Sequence, residues 1–361
     1  MMKKLVLLFM LQGLTVAAIS QVKSQNVVVV TMDGFRWQEL FGGADSLLSF
    51  EAGAKYNTKY VQRRFWADSE MERRKKLMPF LWGEIAKKGM LLGNRQAGNF
   101  VNTANMHRFS YPGYNEIFTG FPDSTVNSNG KIPNKNENVF EYLNKFPEFK
   151  GKTASFGSWD VFASIFNEKR SGFLVNDGFR DVPGKLTDKQ TELNRLQHEL
   201  PDLFHGGERL DVATFHMGLE YMKVNQPRLM HFGLGDTDEF AHAGQYDLYL
   251  DAANKSDDWI RQLWAYIQST PFYANKTTLI ITTDHGRGQA KGGGWKDHGR
   301  EVTGADQIWI VAVGPSIPAS GESAQKDQLF QGQIAATIAK LVGKEFKTNH
   351  PVLPAIPMLN K

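Results

Sequence analysis

Residues 277–299, TTLIITTDHGRGQAKGGGWKDHG, decide how this chain is read. Residues 277–283 are β-branched and aliphatic, the pattern of a strand buried on both faces. The run stops at Asp284-His285-Gly286, a glycine-rich loop follows, and a second Asp-His-Gly stands at Asp297-His298-Gly299. A carboxylate beside an imidazole gives a divalent cation two ligands held on a rigid element. Open α/β sheets bind their ligands at strand ends. The rest of the chain is therefore expected to bring further ligands to this place.

Two more strands end in the same way. Residues 25–32, QNVVVVTM, carry four consecutive valines, as in a buried parallel strand, and stop at Asp33-Gly34-Phe35-Arg36. Taken alone, Asp33 reads as a turn aspartate. Residues 228–234 stop at Gly235-Asp236-Thr237-Asp238-Glu239-Phe240-Ala241-His242. Asp238 and His242 are four apart, which on a helical turn puts both on one face, able to share a cation. The chain has nine histidines, and His242, His285 and His298 fall in these motifs. His107, His205, His216 and His231 read as packing or surface residues, Asp236 as a solvated turn acid, and Asp297 as having no required role.

Between these motifs the chain alternates. Residues 76–88 have the pattern of an amphipathic helix capped by Gly89. In residues 105–120, NMHRFSYPGYNEIFTG, Pro112 suits a first helical turn and Gly120 a helix end. Ser110 then sits just ahead of a helix N-terminus. An N-cap serine is common there, but the place also favours an anion and hence a nucleophilic hydroxyl. Residues 152–156 read as a strand ending in Gly157-Ser158-Trp159-Asp160, and 307–313 as a further strand. Helices are expected over 139–143, 210–224, 247–269 and 333–341. Strands alternating with helices predict an α/β fold with a mostly parallel sheet. No internal repeat or low-complexity linker divides the chain. One domain is expected over residues 21–361, with insertions near 42–75 and 167–206, the second a cap or lid.

The 361 residues, 41% hydrophobic and 22% charged, can bury a sizeable core. The formal charge is +4, two of it from Lys3 and Lys4, which leaves no footprint for nucleic acid. Residues 1–4 are a basic n-region and 5–16 an apolar stretch too short to span a bilayer comfortably. With the small residues of Ala18-Ile19-Ser20, they predict a signal peptide over residues 1–20. A periplasmic or secreted protein with no stable membrane anchor is the expectation. There is no cysteine, which excludes disulfides, thiolate metal sites and a lipidated cysteine.

Asp33, Asp238, His242, Asp284, His285 and His298, with the Ser110 hydroxyl, exceed what one tetrahedral Zn²⁺ needs and suit two metals. Without thiolates, Zn²⁺ and Mn²⁺ both fit. Two nearby cations could ionise a serine and hold the oxygens of an in-line phosphoryl transfer.

The ordered set resembles the alkaline phosphatase superfamily, and most of all its type I phosphodiesterase, or nucleotide pyrophosphatase, branch. Asp33 after VVVVTM resembles the first metal aspartate. Ser110-Tyr-Pro-Gly-Tyr-Asn-Glu-Ile-Phe-Thr-Gly resembles the nucleophile segment. Asp238-Glu-Phe-Ala-His242 resembles the Asp-x3-His pair, Asp284-His285-Gly286 the Asp-His-Gly, and His298 the last ligand. The resemblance implies a three-layer αβα sandwich with a central, mostly parallel sheet and cap insertions. It implies an exported two-metal hydrolase of small-molecule phosphate esters, a phosphodiesterase or phosphatase, working through a phospho-enzyme. One metal would take Asp238, His242 and His298, the other Asp33, Ser110, Asp284 and His285. The family often has an asparagine after the nucleophile helix that steadies a phosphate oxygen; Asn127 and Asn129 both fit, with Asn127 favoured. Two departures matter. The sulfatase signature C/S-x-P-x-R has Tyr114 in place of its arginine, which argues against a formylglycine sulfatase. Some monoesterases carry Lys-x-Arg where this chain has Gly157-Ser158-Trp159-Asp160, so monoester specialisation is left open and Trp159 reads as packing. The alternatives are a sulfatase-like or phosphoglycerate-mutase-like enzyme on the same frame, or a metal-bound binding protein without turnover.

Overall fold

A computed structural model describes residues 23–357; the expected signal peptide, residues 1–20, lies outside them. In chain order the strands are β1 (Asn26–Met32), β2 (Gly89–Leu92), β3 (Phe100–Asn102), β4 (Thr153–Gly157), β5 (Leu174–Asp177), β6 (Leu229–Leu234), β7 (Thr277–Thr282), β8 (Gln307–Ile308), β9 (Ile310–Val313), β10 (Gly321–Glu322) and β11 (Gln328–Phe330). Eight form the main sheet, in the order β10-β2-β9-β7-β1-β6-β4-β5, and β11-β3-β8 form a small second one. From β7 to β5 every pairing is parallel, while β9 runs antiparallel to both β7 and β2.

The valine run explains the layering. Successive side chains of a strand point to opposite faces. Val28 and Val30 enter one core with Phe215, Leu250 and Ile260 from helices Asp211–Asn225 and Tyr246–Ser269. Val27 and Val29 enter the other with Ile117, Phe140 and Ile338, from helices Ser110–Thr119, Val139–Asn144 and Gln333–Leu341. Each fully buried valine contributes about 1.5–3 kcal/mol relative to exposure. The result is a three-layer αβα sandwich. Register then sets the site: Val30 lies opposite both Phe232 of β6 and Ile281 of β7, so the three strands end level.

Several expectations are corrected. Residues 76–88 are not one helix. Helix Glu70–Leu77 ends at Met78, and a π-turn, Leu81–Ile85, and a short helix, Ala86–Lys88, follow. Pro79 is the cause, because it disfavours helical backbone at the residue before it; Met78 has φ −128° and ψ 71°. Gly89 does cap the short helix Ala86–Lys88, in extended and not left-handed backbone, and is also the first residue of β2. Residues 307–313 split at the fully buried Trp309 into β8 of the small sheet and β9 of the main one. Leu174–Asp177, within the segment read as a cap, pairs in parallel with β4 at the sheet edge. Residues 42–74 hold helices Ser46–Ser49, Thr58–Phe65 and Glu70–Leu77, capped by the side chains of Asp45, Asn57 and Ser69. Among the described residues no helix is long and apolar enough to cross a membrane.

Candidate active site

Because β7, β1 and β6 end level, Asp284, Asp33 and the helix Asp236–His242 converge at the C-terminal ends of these central strands. Asp33 Oδ1 lies 3.3 Å from His285 Nε2, and Asp284 Oδ2 lies 3.5 Å from the same atom. Ser110 Oγ is 3.4 Å from it. Beside this group, His242 Nε2 is 3.1 Å from Asp238 Oδ2 and 2.9 Å from His298 Nε2, and His298 Nε2 is 3.9 Å from Asp238 Oδ1. The groups adjoin: His285 Nε2 is 3.7 Å from Asp238 Oδ1, and the His285 and His298 ring centroids are 3.9 Å apart. The seven residues expected to meet do so.

Local structure sets each position. Phe109 is the N-cap of helix Ser110–Thr119, with extended backbone, and Ser110 is its first residue. Ser110 is thus not a capping serine, and its hydroxyl faces His285. Gly113 allows the helix to lie against the Asp284 backbone, since a Cβ there would come within 2.3 Å of the Asp284 carbonyl oxygen. Gln331 holds that turn, donating from Nε2 to the carbonyls of Thr283 (3.0 Å) and Asp284 (2.6 Å). Tyr114, one helical turn after Ser110, donates its hydroxyl to Asp33 Oδ2 at 2.9 Å. Gly34, at φ +56°, clears Asp238 and Arg287. Thr237 Oγ1 donates to the Asp33 carbonyl (2.6 Å), tying β1 to β6.

The charge balance calls for cations. Burial pushes the Asp33 carboxyl well above its ordinary value, and the charge of Asp238 adds to this. Asp284 is raised by burial and then by Asp33. Burial would raise Asp238 too, but the Arg287 guanidinium and His242 hold it well below the usual carboxylate range. Burial pulls His298 down to about 2, so its ring is neutral and able to ligate. Three buried carboxylates face one guanidinium, and Asp33 Oδ1 and Asp284 Oδ2 have no hydrogen-bond donor. An orphaned buried carboxylate oxygen is costly unless a donor or cation reaches it. Two groups, Asp33–Asp284–His285 and Asp238–His285–His298, bring their ligand atoms within 4.8 Å of one another. Nitrogen and oxygen donors without thiolates fit Zn²⁺ or Mn²⁺.

Of the other residues singled out, Asn127 and Asp236 depart from their sequence reading, while His231 and Trp159 follow it as packing residues. Asn127 is exposed and lines a surface cavity of about 250 Å³ with Tyr111, Val126 and Ile132. Asn129 is the one of the two at helix Ser110–Thr119, its Oδ1 accepting the Tyr111 N–H at 3.0 Å. Asp236 is not solvated: it is buried and accepts the Asp211 N–H at 3.0 Å. His231 is a core residue between Ser155 and Thr31, with burial taking it down to about 3. Trp159 packs edge-on against Phe162. Sequence reasoning missed Tyr114 and Arg287. Tyr114 was findable, four residues after Ser110 and so on the same helix face. Arg287 is fully buried and donates to the Asp238 carboxylate, the Asp238 carbonyl (3.0 Å) and the Lys296 carbonyl (2.6 Å).

The fold is shared with solved structures of low sequence identity, one of them described as a protein in the alkaline phosphatase superfamily. The chain superimposes on the lipoteichoic acid synthase LtaP from Listeria monocytogenes with a TM-score of 0.57 at 14% identity, covering 94% of this chain and 76% of that one. A protein in the alkaline phosphatase superfamily from Vibrio parahaemolyticus gives 0.51 at 13%, covering 91% and 69%. The phosphonate monoester hydrolase of Agrobacterium radiobacter gives 0.54 at 11%, covering 88% and 74%. No protein-family model matches the chain, and no curated protein matches it in sequence.

Proposed function

We propose that this protein is a metal-dependent hydrolase of phosphate esters with Ser110 as its nucleophile. The observation that carries this reading is the position of Ser110 Oγ. It lies at the first residue of a buried helix, 3.4 Å from His285 Nε2, the same atom that Asp33 Oδ1 and Asp284 Oδ2, both without donors, approach at 3.3 and 3.5 Å. Asp33, Asp284, His285 and Ser110 would hold one divalent cation, and Asp238, His242 and His298 the other. Bound there, the cations would favour the serine alkoxide and neutralise the phosphoryl oxygens.

The chain's own residues account for the remainder. Ser110 attacks phosphorus in line as its hydroxyl loses a proton, one ester oxygen leaves as the alcohol, and the phosphorylated serine, which keeps the second ester group when the substrate is a diester, is then hydrolysed by water. The helix's first turn has few N–H groups left for the phosphoryl oxygens, because the Tyr111 N–H is taken by Asn129, Pro112 has none and the Gly113 N–H donates to the Phe109 carbonyl. The Asn129 side-chain amide, anchored through its oxygen to Tyr111, directs its N–H₂ to the same place, a role we assign to it in preference to Asn127. Tyr114 orients Asp33, and Arg287 keeps Asp238 ionised. The absence of Lys-x-Arg after β4 and the presence of Trp159 favour a diester of the phosphodiesterase branch. The basic and apolar leader of residues 1–20 favours export to a periplasmic or extracellular space.

The test is hydrolysis of bis-p-nitrophenyl phosphate, p-nitrophenyl phosphate and p-nitrophenyl sulfate by chelator-treated protein reloaded with Zn²⁺ or Mn²⁺. Metal-dependent turnover of a phosphate ester, fastest for the diester, is expected. Turnover of the sulfate alone would favour the sulfatase-like reading, and no turnover in either metal would favour a binding protein.

A further inference from the structure

We infer that Trp159, Glu208 and Glu239 form a subsite beside the active site that takes an ammonium-bearing group of the substrate. This rests on the phosphate-ester reading and adds the substrate's class: an ester of an amino or quaternary-ammonium alcohol.

Glu208 is the starting point. It is only 7% exposed, and its Oε1 is buried without any hydrogen-bond partner. Its carboxylate neighbours are all provided for. Asp211 accepts from the Ser158 hydroxyl (2.6 Å) and the N–H groups of Gly235 (2.7 Å) and Asp236 (3.0 Å). Asp236 accepts from the Asp211 N–H, while Asp33 and Asp238 belong to the metal-binding groups. Glu208 belongs to neither of those groups. It nonetheless lies beside them, its carboxylate against Gly235, three residues before Asp238. A buried acceptor without a donor is one that a ligand's cation or N–H would satisfy.

Topology puts this carboxylate beside the reaction centre. Trp159 and Glu208 form an isolated antiparallel bridge just past the end of β4, with the Arg209 N–H donating to the Ser158 carbonyl at 3.1 Å. Residues directly opposite in an antiparallel pair have side chains on the same face, about 5 Å apart at Cβ. The two side chains therefore leave the backbone on the same face of the bridge. Next to β4 is β6, whose end carries Asp238 and Glu239. The Glu208 carboxylate reaches to Gly235 at the end of β6, where a Cβ would lie 1.6 Å from Oε1. Glu239 and Trp159 are both partly exposed, so the flank is open to a ligand. Two carboxylates and an aromatic face favour a cation over a neutral group, because an indole attracts ammonium and a buried carboxylate needs a counter-charge. One step out from the metal ligands is where the alcohol of a bound ester would extend.

The test compares p-nitrophenyl phosphocholine with its isostere p-nitrophenyl 3,3-dimethylbutyl phosphate, in which carbon replaces nitrogen. The wild type should favour the cationic ester by about tenfold in kcat/KM, the size of one cation–π and charge contact. Glu208→Gln should cut that ratio to about twofold, and Trp159→Leu, which does not disturb a buried charge, should lower it by about threefold. Calorimetric titration of the metal-loaded wild type with phosphocholine and with 3,3-dimethylbutyl phosphate reads the subsite without turnover. Tighter binding of phosphocholine with no ester hydrolysed would sink the hydrolase reading and keep the subsite. Hydrolysis with no preference for the cation would do the reverse. A ratio unchanged in both variants would overturn the proposal, as would loss of one metal equivalent in Glu208→Gln, which would make Glu208 a ligand.

Discussion

Replacing Arg287 by methionine tests the electrostatic account of the site. The substitution keeps the aliphatic stem and removes a buried guanidinium that donates to the Asp238 carboxylate, the Asp238 carbonyl and the Lys296 carbonyl. In metal-free protein it leaves Asp238 buried beside Asp33, both uncompensated. Breaking a buried ion pair from one side costs about 3–5 kcal/mol. At about 2.1 cal/mol/K of unfolding entropy per residue, a chain of this length would lose roughly 4–7 °C in Tm. With saturating Zn²⁺ or Mn²⁺ the cation supplies the missing charge, and less than half of the loss should remain. The pH dependence has a definite sign. Arg287 holds Asp238 below its ordinary value of 3.8, so the stability it contributes is present above that pH and lost as pH falls through the folded value. Without Arg287, Asp238 can take up a proton at mildly acid pH, so the variant's deficit should shrink between pH 7 and pH 4. Thermal melts of chelated and metal-loaded samples measure both effects. Equal destabilisation with and without metal would refute the reasoning, because Arg287 would then be a packing residue and not a counter-charge.

Two further outcomes follow from the same charges. Asp33→Asn should stabilise chelated protein at pH 7 by about 1–3 kcal/mol, since burial and Asp238 both oppose ionisation of Asp33, while metal analysis should show loss of a bound ion; a less stable chelated variant would contradict this. His231, held down to about 3 by burial, stays neutral in the folded state while the unfolded chain takes up its proton below about pH 6.5. Its contribution to stability is therefore lost as pH falls through that window, by about 1.4 kcal/mol per pH unit. Urea midpoints of chelated His231→Gln should fall less steeply than those of the wild type between pH 6.5 and 4.5, and parallel slopes would rule the histidine out.

The sheet's centre was legible because buried parallel strands are continuous apolar runs. Strands β1, β6 and β7 lie within a residue of where the runs at 25–32, 228–234 and 277–283 put them. The cluster of acids and histidines was legible because polar residues that stop such a run stand at the strand ends, where α/β sheets bind ligands. Strands of two to four residues, such as β2, β5 and β8, are too short to show a period, and their pairing is decided by tertiary contacts. Pro79 and the caps Asp45, Asn57 and Ser69 were readable signals that an apolar-period reading of 42–88 passed over. Arg287 and Glu208 could not be read from the chain, because their roles depend on which acids the fold brings beside them. Asn127 and Asn129 differ only in where one loop places them.

The central claim is that Ser110 is the nucleophile of a metal-dependent phosphoryl transfer. Rapid-quench mass spectrometry of metal-loaded protein mixed with p-nitrophenyl phosphate addresses it directly. A single phosphoryl group on the peptide containing Ser110, forming as fast as p-nitrophenol is released and absent from both Ser110→Ala and chelated protein, is the result expected. A phosphoryl group on another residue, or steady turnover by Ser110→Ala at the wild-type rate, would contradict the account.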